Sequence, residues 1–592
     1  VYGRQFNARA CAITPPTGKS AIEKYLGSGL IRGIGPATAK LIVNRFGEKA
    51  LDILDEQPQR LTELPGIGPK KAAMIAESYL QQMGMRRALV FLQNYGISPT
   101  LAMRIAKYYG EDTVELVREN PYRMVMDVEG VGFLTADRMA LSMGIDPKSE
   151  FRIRAALFYL MGEAASSGGH TYLPREMLLD RACKMLHAEA ELVDRQISQA
   201  LLQKMLMGFS LPDCEQALCL PLYFHAEQEI ALRLAQLMRA RPYKRVAGLD
   251  KRILQYEGEL GVHFSALQKR AITSAVEEGV LVVTGGPGTG KTTIIRCIIS
   301  LLKAENDILL CAPTGRAAKR LSELTNHAAS TIHRLLEVDY SSGSVRFIHN
   351  EKNLLKYDVI ILDEMSMVDV KLFQALLAAA RYHCRIIMVG DADQLPSVGP
   401  GNILGEILKA GVVPTVRLTD IFRQAQRSLI VQNAHRIVEG QMPQKGGPKD
   451  DFFLIESNGL ACQKLVCDLV STRLPKAYGF DPVRDIQVLC PTKVGPTGSV
   501  ELNRRLQDIL NPPAKGKGQI GTAESAKILR LGDKVMQVKN DYDITFERAG
   551  AEAGVGAYNG DLGIITAVDV DARSVTVQMD DKKYTYTADQ LN

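Results

Sequence analysis

The chain has 592 residues, of which 46% are apolar and 23% are charged, a balance that excludes a disordered or fibrous protein. This length exceeds what one hydrophobic core supports, so about three to five domains are expected. The net charge of +6, from 72 Lys and Arg against 66 Asp and Glu, permits a nucleic-acid partner but does not by itself argue for one.

Membrane and secretion signals are missing from the sequence. No run of about 18 apolar residues predicts a membrane-spanning helix, and VYGRQFNARA lacks the layout of a signal peptide. The same stretch has no initiator Met, so we expect the true start to lie upstream.

The ten cysteines include two close pairs, Cys214/Cys219 and Cys462/Cys467, without zinc-finger spacing. Buried free thiols in a reducing cytoplasm are therefore expected.

A glycine turn recurs through the first 150 residues. Its copies are Gly33-Ile34-Gly35-Pro36, Gly66-Ile67-Gly68-Pro69, Gly96-Ile97-Ser98-Pro99 and Gly130-Val131-Gly132. A spacing of about 30 to 35 residues indicates stacked helical units. Glycine permits a positive φ in the turn, and proline suits the first position of a helix.

These turns predict tandem helix-hairpin-helix units over residues 21–150, after a remnant of an N-terminal domain at 1–20. Backbone N–H groups at a helix start suit a DNA phosphate, so Gly33, Gly35, Gly66, Gly68 and Lys70 are candidate DNA contacts. Tight hairpins without a ligand are the plainer alternative. The third copy has Ser98, and the fourth has Asp127 and Glu129 beside it, so either of these two copies can be structural only.

The pattern changes twice after residue 150. Residues 151–250 are rich in helix signals and end with strand-like pieces, which predicts a winged-helix-like linker domain. From about 255, short apolar strands alternate with helices, as in LVVT, ILLCAPT, VIILDE and RIIMVGD. Such alternation predicts a parallel sheet covered on both faces.

One glycine-rich loop carries a specific phosphate-binding pattern. Gly285, Gly290, Lys291 and Thr292 fit G-x-x-x-x-G-K-[ST], between an apolar strand and a helix. The loop, with Gly286, Pro287, Gly288, Thr289 and Thr293, is predicted to hold the phosphates of a nucleotide. Lys291 would reach the β and γ oxygens, and Thr292 would give a hydroxyl to Mg²⁺.

Acidic residues end a second apolar strand. Asp363 and Glu364 follow DVIIL, where we expect Asp363 to hold Mg²⁺ through water and Glu364 to deprotonate the attacking water. A solvated acidic turn is the alternative. A third strand leads to GDADQLP, whose Gln394 is placed to sense the γ-phosphate through water.

Taken in order, six segments resemble motifs I, Ia, Ib, II, III and IV of superfamily 1 helicases. They are VTGGPGTGKTT, APTGRAAKRL, STIHRLL, ILDEMSMVD, GDADQLPSVGPG and LTDIFRQ. They are most similar to the 5′-to-3′ branch that contains RecD, and the N-terminal repeats resemble the long bacterial RecD-like form. The resemblance implies a multidomain α/β fold: two RecA-like P-loop motor lobes with parallel sheets, a helix-hairpin-helix N-terminal region and a small SH3-like β-barrel insertion.

The resemblance also implies roles for single residues. Gln268, in FSALQKRAI, is similar to the adenine-reading Q motif, and Arg423 to an arginine that reaches the γ-phosphate from the second lobe. Candidate contacts to single-stranded DNA are Thr314, Arg316, His333, Lys493, Asn503 and Arg504. A surface charge for Arg423 and a packed core histidine for His333 are the alternatives.

The resemblance divides the rest of the chain into lobes and insertions. The first lobe is expected at 255–415, with a hairpin insertion at about 337–350, in which VDYSSGSVRF reads as strand, turn, strand. The second lobe is expected at 416–592, with the barrel at about 525–590. The chain stops at TADQLN, before the family's last two motifs, so we expect it to be truncated. Alone, it is predicted to bind nucleotide and DNA but to hydrolyse ATP poorly and not unwind.

The sequence therefore predicts an ATP- and Mg²⁺-dependent 5′-to-3′ translocase and helicase of DNA repair or recombination. Its expected partners are single-stranded DNA and junctions of single- and double-stranded DNA, and a monomer without membrane contact is expected. Three alternatives remain open at this point: the ATPase subunit of a nuclease complex, an RNA helicase, and a DNA-binding scaffold without activity. Comparing how strongly single-stranded RNA and single-stranded DNA stimulate the ATPase would distinguish an RNA helicase from a DNA helicase.

Overall fold

A computed structural model describes residues 18–28, 31–128, 130–339, 346–420, 427–447, 449–521, 528–539, 541–548, 551–557 and 559–591. The chain forms two compact units, with the division between His225 and Ala226. No helix among these described residues is both long enough and apolar enough to span a membrane.

The first unit is mainly helical. Its helices are α1 (Lys19–Leu26), α2 (Pro36–Phe46), α3 (Ala50–Glu56), α4 (Pro69–Asn94), α5 (Pro99–Tyr109), α6 (Thr113–Glu119), α7 (Arg123–Asp127), α8 (Phe133–Ser142), α9 (Glu150–Gly168), α10 (Arg175–Leu186) and α11 (Ala190–Leu202). The repeated glycines Gly33, Gly66, Gly96 and Gly130 all have a φ between 80° and 89°. Each turn leads into α2, α4, α5 or α8, and the first three of these helices begin with the proline of the repeat. The N-terminal region therefore has the predicted helical fold.

The four turns belong to two separate hydrophobic cores. One core contains buried residues from Ile22 to Tyr79, and the other runs from Phe91 to Leu218. The long helix α4 supplies residues to both, including Ile75 to the first and Leu92 to the second. The third and fourth turns thus pack with α9, α10 and α11, and the packing continues without a break at residue 150.

A small antiparallel sheet completes the first unit. Its strands are β1 (Tyr172–Pro174), β2 (Met207–Leu211) and β3 (Cys214–Cys219), in the order β1-β3-β2. Three helices, α9 to α11, are thus combined with a hairpin. The winged-helix-like assignment of this segment stays a prediction.

The second unit contains a six-stranded parallel sheet in the order β11-β4-β10-β9-β5-β6. Its strands are β4 (Val280–Gly285), β5 (Ile308–Ala312), β6 (Ala329–Thr331), β9 (Val359–Leu362), β10 (Arg385–Gly390) and β11 (Thr415–Leu418). Val280 and Val282 of β4 enter one core, whereas Leu281 and Val283 enter another. Continuously apolar strands are buried on both faces in this way. The sheet reaches Leu418, beyond the predicted lobe end at 415.

Helices cover this sheet, and a short hairpin interrupts them. The helices are α12 (Pro221–Ala240, which crosses the division of the chain), α13 (Leu249–Leu260), α14 (Ala266–Glu277), α15 (Lys291–Leu302), α16 (Gly315–Thr325), α17 (Ile332–Leu336), α18 (Val370–Ala379) and α19 (Ile403–Ala410). The hairpin pairs β7 (Val338–Asp339) with β8 (Arg346–Phe347). Its strands lie where the sequence predicts them, and residues 340–345 of its turn lie outside the described part.

Helices and an antiparallel sheet form the remainder. The helices are α20 (Leu429–Val438), α21 (Gly459–Asp468), α22 (Leu474–Tyr478) and α23 (Ser499–Leu510). The strands are β12 (Gln519–Ile520), β13 (Leu529–Arg530), β14 (Lys534–Met536), β15 (Asp541–Arg548), β16 (Ala551–Ala557), β17 (Leu562–Asp569), β18 (Ser574–Met579) and β19 (Lys582–Tyr586).

The antiparallel sheet of this region has the order β14-β17-β18-β19-β15-β16, and Phe546, Val577 and Tyr584 lie in its core. It lies where the barrel is predicted. Parallel pairing among the described residues occurs only in the sheet of the first lobe. A parallel sheet in the second lobe therefore stays a prediction.

Candidate functional site

The glycine-rich loop connects β4 to α15. Gly288 and Gly290 have φ values of 77° and 82°, which favour glycine. At Gly285 the reason is space, because a β-carbon there would lie 2.8 Å from the carbonyl oxygen of Leu418 on β11. The loop ends at the N-terminus of α15, where free N–H groups and the helix dipole favour an anion.

The side chains of Lys291 and Thr289 make hydrogen bonds to backbone carbonyls within the loop. Lys291 Nζ donates to the carbonyl oxygens of Gly285 and Gly286, at 2.5 and 3.2 Å. Thr289 is 1% exposed, and its hydroxyl donates to the Gly286 oxygen at 2.9 Å. Thr292 and Thr293 are half-buried in the first turn of α15. Lys291 and Thr292 therefore lie together at the end of the loop, and their contact with the terminal phosphates of a nucleotide stays a prediction.

Gln268 supports the loop from α14. Its Nε2 donates to the Thr289 carbonyl at 2.9 Å, and its Oε1 accepts from the backbone N–H of Ser265. Ser265 caps α14 in return, which completes a capping box. With a side chain that is 2% exposed, Gln268 fixes the position of the loop. Its predicted contact with adenine stays a prediction.

Asp363 and Glu364 follow β9 directly. The motif III strand β10 lies between β4 and β9, so β9 is not the immediate neighbour of the loop's strand. Burial, the largest cause, and the charge of Glu364 raise the pKa of Asp363, whereas the Glu364 N–H, Lys291 and Arg320 lower it. The resulting pKa is about 6. Lys291 is thus close enough to interact with this carboxylate.

Glu364 adopts a backbone conformation that is unusual for its residue type. Its φ is 54°, in the left-handed region, and its N–H donates to Asp363 Oδ1 at 2.9 Å. Residues held in this region cost free energy and often lie at functional sites.

The loop after β10 is connected to both neighbouring strand ends. The Ala392 N–H donates to the hydroxyl of Thr284 on β4 at 3.2 Å. Ser366, just after Glu364, donates its hydroxyl to Gln394 Oε1 at 3.5 Å. Gln394 itself is exposed. The sequence did not single out Thr284 or Ser366, because only the strand order brings them to this loop.

The residues of the first lobe that are predicted to contact DNA differ in their exposure and in their hydrogen bonds. Thr314 caps α16 by accepting from the Ala317 N–H at 3.2 Å, and Arg316 is exposed on the same helix. His333 is half-buried in α17, where burial lowers its pKa, and its ring centroid lies 6.2 Å from that of Phe347. Arg316 is thus available to a ligand, whereas His333 is partly packed.

The predicted contacts of the second lobe are exposed. Lys493 and Asn503 lie at the surface. Arg504 is paired with Glu501 at 2.7 Å and lies 3.8 Å from Asp508. Such exposed pairs are weak enough for a phosphate to replace the carboxylate. The predicted γ-phosphate arginine, Arg423, lies outside the described residues.

A basic cluster that the sequence did not predict joins α16 to the barrel. It consists of Arg316, Lys319, Lys534, Arg548 and Lys582. Burial lowers the pKa of Lys534, and the charge of Arg316 lowers it further. Burial likewise lowers the pKa of Lys582, and the charges of Arg548 and Lys319 lower it further, whereas those of Asp561 and Asp581 raise it. Arg548 is itself paired with Asp581 at 3.1 Å. No local pattern could have found this cluster, because its members are far apart in the chain.

The predicted contacts in the first unit lie at the turns into α2 and α4. A β-carbon at Gly33 would lie 2.6 Å from Met74 Cε of α4, whereas one at Gly66 would meet no atom within 4 Å. Gly35 and Gly68 are the N-caps of α2 and α4, and Lys70 is exposed. In the fourth turn, Asp127 accepts from Tyr109 and pairs with Arg123, which supports a structural role for that copy.

Four families match separate parts of the chain. Residues 28–78 match the SAM-like helix-hairpin-helix tandem, and residues 81–172 match the HHH domain of the ATP-dependent RecD2 DNA helicase. Residues 268–400 match an AAA domain, and residues 502–579 match the SH3 domain of the ATP-dependent RecD-like DNA helicase. The first match corresponds to the first core of the first unit, and the second match covers the N-terminal part of the second core, which continues to Leu218.

Curated relatives agree with these matches. The ATP-dependent RecD2 DNA helicase of Deinococcus radiodurans is 32% identical over 570 residues, which are 95% of this chain and 74% of that protein. The RecBCD enzyme subunit RecD of Mycobacterium tuberculosis is 31% identical over 400 residues, which are 61% of this chain and 64% of that subunit.

Solved structures of Pif1 helicases also resemble the chain. Bacteroides Pif1 bound to ssDNA is 19% identical with a TM-score of 0.31, over 55% of this chain and 74% of that chain. Pif1 helicase from Candida albicans is 18% identical with a TM-score of 0.28, over 55% and 78%. TM-scores this low give the likeness no weight as evidence of function.

Proposed function

The chain belongs to the family of ATP-dependent RecD2 DNA helicases, and from this premise we propose that it moves 5′ to 3′ along single-stranded DNA. It is an ATP-hydrolysing DNA helicase, and the proposed direction rests on the resemblance of its motifs to those of the RecD-like, 5′-to-3′ branch. One observation supports ATP hydrolysis as the energy source most: the phosphate loop, Asp363, Glu364 and Gln394 form one connected site. The contacts of Lys291, Thr284 and Ser366 hold it together.

Each side chain of this site has a proposed task in hydrolysis. Lys291 leaves its carbonyl partners and neutralises the β and γ oxygens of ATP, while Glu364 orients the attacking water and accepts its proton. Gln394 senses the γ-phosphate through the same water, and Arg423 stabilises charge on the equatorial oxygens. Mg²⁺ would supply charge neutralisation at the β- and γ-phosphates, with the Thr292 hydroxyl and Asp363 as the residues that hold it.

The residue set fits a magnesium ion. Mg²⁺ is usually held by one or two carboxylates together with substrate phosphates and water. The raised pKa of Asp363 shows that its ionised form is poorly compensated in the protein alone, and a divalent cation would provide that compensation.

Single-stranded DNA is proposed to pass along the surface that carries Thr314, Arg316 and the rest of the basic cluster. His333, Lys493, Asn503 and Arg504 extend this path in the proposal. The turns at Gly33 and Gly66, with Lys70, are proposed to hold duplex backbone without reading its sequence. Closing and reopening of the two lobes around ATP would shift the grip on the strand by one step.

The proposed partners are junctions of single- and double-stranded DNA, and the proposed form is a monomer in the bacterial cytoplasm, where chromosomal DNA lies. Membership in the RecD2 family favours action outside a nuclease complex, because that match spans 95% of the chain against 61% for RecD. Co-purification with nuclease subunits would contradict this part of the proposal.

Nucleic-acid-stimulated ATPase activity of the intact gene product tests the function. We expect single-stranded DNA to raise the rate, single-stranded RNA of equal sequence to raise it less, and Glu364→Gln to remove the stimulation. An ATPase rate that neither nucleic acid changes would contradict a translocase.

A further inference from the structure

Helix α20, just after motif IV, is firmly held in the second lobe. Asp451 accepts hydrogen bonds from the N–H groups of Leu429 and Ile430 at its start. Asn433 is 1% exposed and makes two hydrogen bonds with the backbone of Gln444, at 2.7 and 2.9 Å. The residues of the next half-turn therefore have a fixed position.

One of these residues, His435, contacts the phosphate loop. A β-carbon at Gly286 would lie 2.8 Å from His435 Cε1 and 3.4 Å from its Nε2. Gly286 is not among the described glycines with positive φ, so its backbone does not require glycine. The approach of the imidazole ring explains why a residue without a side chain stands there.

One ring nitrogen of His435 is unsatisfied. His435 Nε2 is buried and has no hydrogen-bond partner in the described part of the chain. In the absence of nucleotide the nearby Gly286 carbonyl accepts from Thr289 and Lys291, and it does not accept from His435 Nε2. A buried polar atom without a partner is costly, and a ligand that supplies the partner is favoured.

We propose that His435 Nε2 donates a hydrogen bond to the terminal phosphate of the nucleotide in the loop. Gly286 is the second residue of the loop, and its carbonyl contacts Lys291 Nζ, the group assigned to the β and γ oxygens. His435 thus lies at the terminal-phosphate end. The contact links α20 of the second lobe to the presence of the γ-phosphate, because ADP lacks the acceptor. This proposal rests on the assignment of ATP to the loop.

Nucleotide affinity without turnover tests the contact. Fluorescent ATPγS and fluorescent ADP are titrated, in the presence of Mg²⁺, into the wild type and two variants. His435→Phe keeps a ring without the N–H, and His435→Gln keeps a hydrogen-bond donor. We expect His435→Phe to weaken the binding of ATPγS at least about ten-fold, as for one lost hydrogen bond to a charged group. The same variant should weaken the binding of ADP less than about two-fold. His435→Gln should recover part of the ATPγS affinity. Unchanged ATPγS affinity, or equal losses for both nucleotides, would overturn the proposal.

A double variant tests the geometry separately. Gly286→Ala places a methyl group against the ring, so its effect on ATPγS affinity should be smaller in a His435→Ala background than in the wild type. Equal effects in both backgrounds would contradict the contact. Ile437→Ala, 58% exposed on the same helix, is the control and should leave both affinities unchanged. If the wild type binds neither nucleotide, the assignment of ATP to the loop fails, and this outcome is distinct from a failure of His435 alone.

Discussion

Lys319 of α16 forms an ion pair with Asp580 in the turn between β18 and β19. The pair joins the lobe that carries the phosphate loop to the barrel, across 261 positions of sequence. Both side chains are more than half exposed, so the pair contributes little to stability. Its position within the basic cluster indicates that Asp580 restrains a lysine that could otherwise bind a DNA phosphate.

Asp580→Asn should therefore strengthen binding to single-stranded DNA. Releasing Lys319 adds up to one phosphate contact, so the slope of log affinity against log salt should become steeper by about 0.7. The thermal unfolding midpoint should not change. Titration of a labelled oligonucleotide at several salt concentrations measures the slope. Lys319→Gln combined with Asp580→Asn is the control, and it should cancel the gain. A flatter slope in Asp580→Asn would show that Asp580 does not restrain Lys319.

Lys291→Ala and Glu364→Gln should impair ATP hydrolysis in different ways. Lys291→Ala removes a charge at the phosphates, so ATP affinity should fall about 10- to 100-fold and turnover should be lost. Glu364→Gln removes only the base, so ATP should still bind while turnover falls at least about 100-fold. Equilibrium binding and steady-state ATPase assays separate the two. Near-normal turnover in either variant would remove that residue's assignment.

Asp363→Asn should stabilise the nucleotide-free protein at neutral pH. The folded pKa is about 6 and the unfolded value about 3.9, so the folded state holds the proton more tightly. That stabilisation is present below pH 4 and is lost as the pH rises through 6. Between pH 4 and 7.5, the free energy of unfolding of the wild type should therefore fall by about 1–3 kcal/mol relative to that of Asp363→Asn. Thermal melts of both proteins across this range measure the difference, and parallel curves would contradict the raised pKa.

Lys70→Ala should weaken duplex binding by the first unit. If Lys70 contacts a phosphate, the salt slope should become less steep by about 0.9. Arg138→Ala, on the exposed face of α8 beyond the fourth turn, is a matched control with the same loss of charge and should leave the slope unchanged. Equal effects in both variants would indicate general electrostatics instead of a contact at the second turn. Removing residues 1–150 would be a poorer test, because the core that contains Phe91 and Leu157 crosses that boundary.

Local patterns predicted the elements of this protein better than its long-range contacts. The positive φ at Gly33, Gly66, Gly96 and Gly130 and the strand–loop–helix around Lys291 depend on a few adjacent residues, so the sequence was sufficient. The division of the four turns between two cores was not predicted, because it depends on how buried side chains fill space around α4. The same holds for His435 against Gly286, a contact that exists only after the chain has folded.

The polarity of unwinding tests the central proposal most directly. Duplexes with a 5′ single-stranded tail or a 3′ tail of equal length are offered to the intact gene product that carries this chain, with ATP and Mg²⁺, and strand separation is followed by fluorescence. We expect rapid separation of the 5′-tailed duplex, little separation of the 3′-tailed one, and none of either with Glu364→Gln. Preferential separation of the 3′-tailed duplex, or separation that does not require Glu364, would contradict it.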